Sequence, residues 1–237
     1  MTTSGYSHKK REFLLGQSFS GRDVAQMLAD DALLGGFDRC TFVGADLTGL
    51  DLSGVVFKGC TFEETCFERS CLSATQWRGC RAGQADFYLA DLSDASFVEC
   101  DLNNTSWVKA ILASVSFVDV KLSGARFLEA RTLGFSFQDS LLCGADLRNI
   151  SFRKQRLEQV DLSDADLRGC DFRDAVFQKG SLRRADITNA QFDGADLRDA
   201  DLSGLQFGNL RQFLKGAIIS VHQAAAVVQS LGINVVP

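Results

Sequence analysis

Proline is all but missing from this chain: the only one among 237 residues is Pro237, at the far end. Histidine is nearly as scarce, with His8 and His222 near opposite ends and no recognisable motif around either. There is no C-x-x-C pair, no P-loop and no G-x-G-x-x-G. Zinc needs four convergent ligands, and catalysis needs a nucleophile, base or metal gathered in a pocket. Nothing here gathers such groups, so the expectation is no enzyme, no metal and no cofactor. No apolar run approaches the roughly 18 residues of a membrane span. The start, MTTSGYSHKKREFLLGQSF, has a basic patch but no apolar stretch of about 7–15 residues behind it, so a secretory signal is not expected. Eight cysteines without such a signal argue for reduced thiols and a cytoplasmic protein.

What the chain does have is a beat of five. In FDGADLRDADLSGLQF the large apolar residues are Phe192, Leu197, Leu202 and Phe207. Helices repeat at about 3.6 residues and strands at about 2, so neither explains it. Stepping by five from Phe37 to Phe207 gives 35 consecutive pentapeptides without insertion. Fifteen of their centres are Phe, fifteen are Leu, and the rest are Trp77, Trp107, Ile187, Ala82 and Thr132. Two residues before the centre lies a small residue in 30 of the 35 units, the exceptions being Leu50, Phe135, Ile150, Gln155 and Leu205. None of these positions is charged in a chain with 23% charged residues, which means burial. Each unit therefore points one large and one small side chain inward and three residues outward.

A second period sets the number of sides. Cys40, Cys60, Cys80 and Cys100 are spaced by 20, and so are Phe37, Phe57, Trp77, Phe97, Phe117 and Phe137. Like stacks on like when coils pile up in register. Four pentapeptides per coil follow, in a tube of a little under nine coils, roughly 42 Å long at about 4.8 Å per coil. Such a tube fills its own interior and leaves no obvious cavity. Five cysteines occupy the small inward position (the four above and Cys170), where they read as small buried hydrophobes.

ADLSD, CDLNN, ADLRN, ADLRG, ADITN, ADLRD and ADLSG resemble the repeat of pentapeptide-repeat proteins. The resemblance covers residues 35–209 and implies an all-β fold, a right-handed quadrilateral β-helix. The organisation expected is an N-terminal helical cap over 1–36, the repeats over 37–209, and a C-terminal helix–strand cap and dimerisation module over 210–237. At the front, Ser20 is a candidate helix cap, Val24, Met27 and Leu28 an apolar stripe, and Gly35-Gly36 a stop. At the back, Ser220 and Gln223 have capping-box spacing, Gly232 is a candidate stop, and Ile233, Val235 and Val236 read as a short strand. The apolar residues of this segment suit a twofold dimer: Phe213, Leu214, Ile218, Ile219, Val221, Ala224, Val227, Val228, Leu231, Ile233 and Val235.

The tail LKGAIISVHQAA, then LGINV, is similar to the C-terminal module of the gyrase-protecting branch, which includes the Qnr and MfpA quinolone-resistance proteins and immunity proteins against microcin and albicidin. What that resemblance implies is a homodimer that partly mimics DNA and protects a type II topoisomerase (DNA gyrase, topoisomerase IV or both) from a poison, with no direct nucleic-acid or membrane binding expected. Loops that interrupt the repeats of Gram-negative Qnr proteins are absent between Phe37 and Phe207, so the likeness leans to loop-free members. Residues 36–209 hold 26 Asp plus Glu against 19 Lys plus Arg. Duplex DNA would carry about 25 negative charges over the same length, so the mimicry is partial. The candidate topoisomerase contacts are the outward columns Asp46, Asp86, Asp146, Asp166 and Asp186 on one side and Asp101, Asp161 and Asp201 on another. A scaffold or adaptor for another protein is the competing reading, with Tyr88, Leu89, Ile111, Leu128, Leu133 and Leu141 as outward apolar candidates.

Overall fold

The computed structural model describes residues 12–29, 34–205, 214–230 and 232–235. The elements are β1 (Glu12–Leu15), α1 (Gly21–Ala29), β2 (Leu34–Asp38), β3 (Val56–Lys58), β4 (Gln76–Arg78), β5 (Ser96–Val98), β6 (Ser116–Val118), β7 (Ser136–Gln138), β8 (Arg156–Glu158), β9 (Val176–Gln178) and α2 (Val221–Ser230). Strands β1 to β9 form one parallel sheet in sequence order. The other three faces are held by isolated parallel bridges between residues twenty apart, such as Asp86↔Ser106 and Asp91↔Ile111. The chain is thus the quadrilateral β-helix that the five- and twenty-residue periods call for, with the right-handed coil that the family resemblance implied.

One pentapeptide shows why the coil closes and why it holds no proline. Around Phe87, Ala85 N–H donates to Ala82 C=O (3.1 Å), closing a turn. Asp86 N–H reaches the coil before, at Thr65 C=O (3.0 Å), and Phe87 and Leu89 N–H reach the coil after, at Ser106 and Val108 C=O (2.8 and 3.1 Å). The fifth, Tyr88 N–H, donates to Asp86 Oδ1 (3.0 Å). Every amide is used, so a proline at any of the five positions would break a bond. The second residue after each centre takes a left-handed conformation, from Arg39 (φ 54°) to Asn189 (φ 60°), and turns the corner.

Inside, the columns are rings. Phe37, Phe57, Trp77, Phe97, Phe117 and Phe137 stack with centroids 4.4–5.7 Å apart. A second column, Phe67, Phe87, Trp107 and Phe127, stacks at 4.2–5.8 Å. Both buried indoles are satisfied by the threonine in the adjoining small slot: Trp77 Nε1–H donates to Thr75 Oγ1 (2.9 Å) and Trp107 Nε1–H to Thr105 Oγ1 (2.8 Å). Among described centres, Thr132 alone is not buried.

Around Thr132 the ladder opens. The large side chain of this stretch sits in the small slot instead, where Phe135 is buried and its ring lies 5.5 Å from that of Phe152. Below Phe135 the next small slot holds Gln155, whose buried Oε1 has no partner. Too much volume at one corner and too little at the next spreads the coils. Face by face, the rungs that join Leu112 to Arg131 and Phe152 to Asp171 are present, while those from Thr132 N to Ser151 O, Gly134 N to Arg153 O and Ser151 N to Ala130 O are not formed. Strands β7 and β8 correspondingly pair only at Gln138↔Glu158.

The N-terminal cap is both a helix and a coil fragment. β1 pairs in parallel with β2, and Ser18 bridges Thr41, which the sequence reading did not place. Ser20 caps α1 reciprocally with Asp23. Gly35 and Gly36 do not stop the helix, which ends at Ala29; they lie within β2. A Cβ on Gly36 would come 2.1 Å from the Val56 carbonyl oxygen, so glycine answers here to a close backbone approach. At the other end, Ser220 and Gln223 form the expected capping box, with Gln223 N–H to Ser220 Oγ (3.2 Å) and Ser220 N–H to Gln223 Oε1 (2.7 Å). Gln223 Nε2 also donates to the last coil, at Leu197 and Ala200 C=O (both 2.7 Å). The expected strand over Ile233 and Val235 is irregular chain instead. A strand needs a paired neighbour, and no described segment pairs with it. Val236 lies outside the described residues.

Candidate functional site

All eight aspartates of the two candidate columns do the same local job. Each accepts, through Oδ1, the N–H two residues ahead: Asp46 from Thr48, Asp86 from Tyr88, Asp101 from Asn103, Asp146 from Arg148, Asp161 from Ser163, Asp166 from Arg168, Asp186 from Thr188 and Asp201 from Ser203, at 2.9–3.3 Å. The turn therefore selects aspartate at this position before any partner does. Hydrogen bonds from Thr48 hold the Asp46 carboxyl below the usual carboxylate range.

Toward the C-terminal end the columns are partly neutralised in place. Arg148 and Arg168 fold back on Asp146 and Asp166 as two-pronged pairs, with Nη2–Oδ2 of 2.6 Å in both. Each guanidinium also leans to the next coil, Arg148 Nε to Asp166 (3.5 Å) and Arg168 Nε to Asp186 (3.5 Å). Those guanidiniums hold the carboxyls of Asp146 and Asp166 low. Asp46, Asp86, Asp101, Asp161 and Asp201 make no ion pair with a described residue.

Summed along the axis, the charge is uneven in a way that a sum over each face hides. Residues 37–120 hold twelve Asp plus Glu against six Lys plus Arg, and residues 161–205 hold ten against six. Between them, residues 121–160 hold seven Lys plus Arg against four Asp plus Glu. The acidic rod has a basic waist, and the waist is where the ladder opens. The local signal for it was already in the sequence, as Thr132, Phe135 and Gln155 out of pattern.

The C-terminal candidates divide into two sets. Leu214, Ile219 and Val227 pack against the core, and Ala224 and Val228 are half-buried. Ile218, Val221, Ile233 and Val235 face outward, with Val221 89% exposed. Ile218 also extends the ladder, pairing with Asp196. Phe213 and Leu231 lie outside the described residues. Beside this cap is a hollow of about 510 Å³ lined by Arg198, Asp201, Leu202, His222 and Gln223, outside the packed interior of the tube.

The cysteines pack as small hydrophobes. Cys60 and Cys80 direct their thiols to Phe37 and Phe57 C=O (both 3.4 Å), and burial pushes the Cys170 thiol up to about 12. Among the described residues, no group of three or more His, Cys, Asp or Glu is placed to hold a metal ion. Likewise, no described helix is long and apolar enough to cross a membrane.

Comparison with known proteins follows the same repeats. Residues 35–107 match the family described as a pentapeptide repeat region, and residues 90–127, 136–174 and 165–204 match pentapeptide repeats. The unmatched stretch between the second and third ranges contains Thr132 and Phe135. No curated protein sequence matches. A trypsin-treated variant of QnrB1, a plasmid-mediated fluoroquinolone resistance protein, superposes with a TM-score of 0.58 at 22% identity, covering 95% of this chain and 97% of that one. Full-length QnrB1 gives 0.57 at 21% identity, covering 93% and 97%.

Proposed function

The chain belongs to the pentapeptide-repeat family, and from that membership we propose that it protects a type II topoisomerase, DNA gyrase or topoisomerase IV, from a poison. It does so without catalysis, in the cytoplasm, as a rod-shaped dimer that occupies part of the enzyme's DNA-binding surface. The observation that carries this reading is the regular rod itself, with carboxylates such as Asp46, Asp86, Asp101, Asp161 and Asp201 set by the turns at fixed positions and without an ion pair to any described residue. Oriented charge of one sign on a rigid body is what a phosphate-binding saddle reads. Likeness in fold to a fluoroquinolone resistance protein supports it. The dimer would form through Ile218, Val221, Ile233 and Val235, the outward set of the C-terminal cap.

The test is gyrase supercoiling and poison-induced DNA cleavage with and without the protein, using quinolone, albicidin and microcin in parallel. Protection appears as less cleavage with one poison while supercoiling survives. Loss of supercoiling alone would make it a plain DNA mimic, and no effect on either would remove the topoisomerase reading. A second reading, an adaptor for another protein, is favoured by one observation: Leu133 projects from the waist 85% exposed.

A further inference from the structure

The open rungs, the exposed Leu133 and three of the seven cations of the waist share one face. Its successive rows carry Arg131, Leu133 and Gly134, then Ser151, Arg153 and Lys154. Between these rows the amides of Thr132, Gly134 and Ser151 and the carbonyls of Ala130, Ser151 and Arg153 lack the partners that the same positions have in neighbouring coils. Arg131 and Lys154 make no ion pair with a described residue, and Arg153 has only Asp174 at 3.9 Å.

We propose that this face is a docking site for an acidic peptide segment in extended conformation. The flanking faces keep the two coils bridged at Arg126↔Asp146 and Gln138↔Glu158, so no strand enters between them, but backbone groups left open at the surface can hydrogen-bond to a segment lying across the face. Arg131, Arg153 and Lys154 supply charge for its carboxylates, and Leu133 supplies an apolar contact for a side chain between them. Nucleic acid fits less well. Phosphates would use the cations but leave Leu133 in water, and the patch spans only two coils, about 10 Å along the axis. The saddle of a topoisomerase is itself basic toward DNA, so this face answers to a different partner chemistry. The proposal does not rest on the topoisomerase reading.

The experiment is fluorescence anisotropy of the full-length protein with a labelled peptide of alternating Glu and Leu. A Lys/Leu peptide and a single-stranded oligonucleotide of matched charge serve as competitors. Expected is saturable binding that weakens with salt and falls at least about tenfold in Arg131→Glu/Arg153→Glu and in Leu133→Asp. Lys179→Glu, a basic site on another face, should leave it unchanged. Thr132→Leu/Phe135→Ala restores the ordinary pattern and should close the rungs, so it should weaken binding with every cation in place. Circular dichroism confirms that each variant is folded. Equal affinity in the Arg131→Glu/Arg153→Glu protein, or an oligonucleotide that outcompetes the peptide, would overturn the proposal. Running gyrase protection on the same variants separates a failure here from a failure there.

Discussion

Asp86 illustrates how one residue type serves two ends. Its Oδ1 accepts the Tyr88 amide, and its carboxylate makes no ion pair with a described residue. The two roles separate by substitution. Asp86→Asn keeps the acceptor and loses the charge, so stability should hold while topoisomerase protection weakens. Asp86→Ala loses both and should cost about 1 kcal/mol as well. Urea melts alongside cleavage assays check this, and protection undiminished in the Asn variant would mean that Asp86 acts only in its turn. The thiols allow a second check at this scale. Cys66, Cys71 and Cys143 are half-buried, while Cys40, Cys60, Cys80, Cys100 and Cys170 are buried. Under native conditions iodoacetamide should modify only the first three, with the buried five reacting on unfolding; mass spectrometry reads the count.

At the scale of the coil, what is conserved along the tube is volume. Trp77 is followed by Ala82, the smallest centre in its column, where Phe62 and Leu102 stand on either side; the Phe62 and Trp77 rings lie 4.8 Å apart. Ala82→Leu should therefore overpack the coil and cost roughly 1–3 kcal/mol. Adding Trp77→Phe should recover much of it, a non-additivity that denaturant melts of the single and double variants will show. Within their turns, Asp146, Asp166 and Asp171 have pKa values lowered chiefly by hydrogen bonds from Arg148, Arg168 and Arg173. A depressed folded-state pKa gives stability that is complete above the unfolded value, about 3.9 for aspartate, and is lost as pH falls through the folded value. Thermal midpoints should hold near neutrality and drop below about pH 4, with a smaller drop in Arg148→Gln/Arg168→Gln.

At the scale of the molecule, the tube buries its inward columns and leaves few large apolar residues outside, Leu133 foremost, while the short C-terminal cap leaves several. Val221 is the most exposed of these, and Ile233 and Val235 have no partner strand among the described residues. If the cap pairs two rods, Val221→Asp should yield a folded monomer, since a desolvated unpaired carboxylate at a twofold axis is met by a second one. Light scattering that still reports a dimer would move the interface elsewhere.

Much of this was legible in the residues alone because a solenoid repeats its tertiary contacts every coil. The residue that Phe57 stacks on is always twenty positions away, so a period in the sequence is already a column in space. The inward pairs, the four faces and both helix caps followed from that and from local hydrogen-bonding chemistry. Three other features depended on how separate segments meet. β1 and Gly35-Gly36 joined the sheet because a neighbouring coil offered an edge and a close approach. Ile233 and Val235 stayed irregular because no described segment pairs with them. Thr132, Phe135 and Gln155 were visibly out of pattern, but lost rungs between two coils arise from volumes summed around a corner. Only the assembled tube decides that, just as only its stacking decides which charges meet an opposite charge in the next coil.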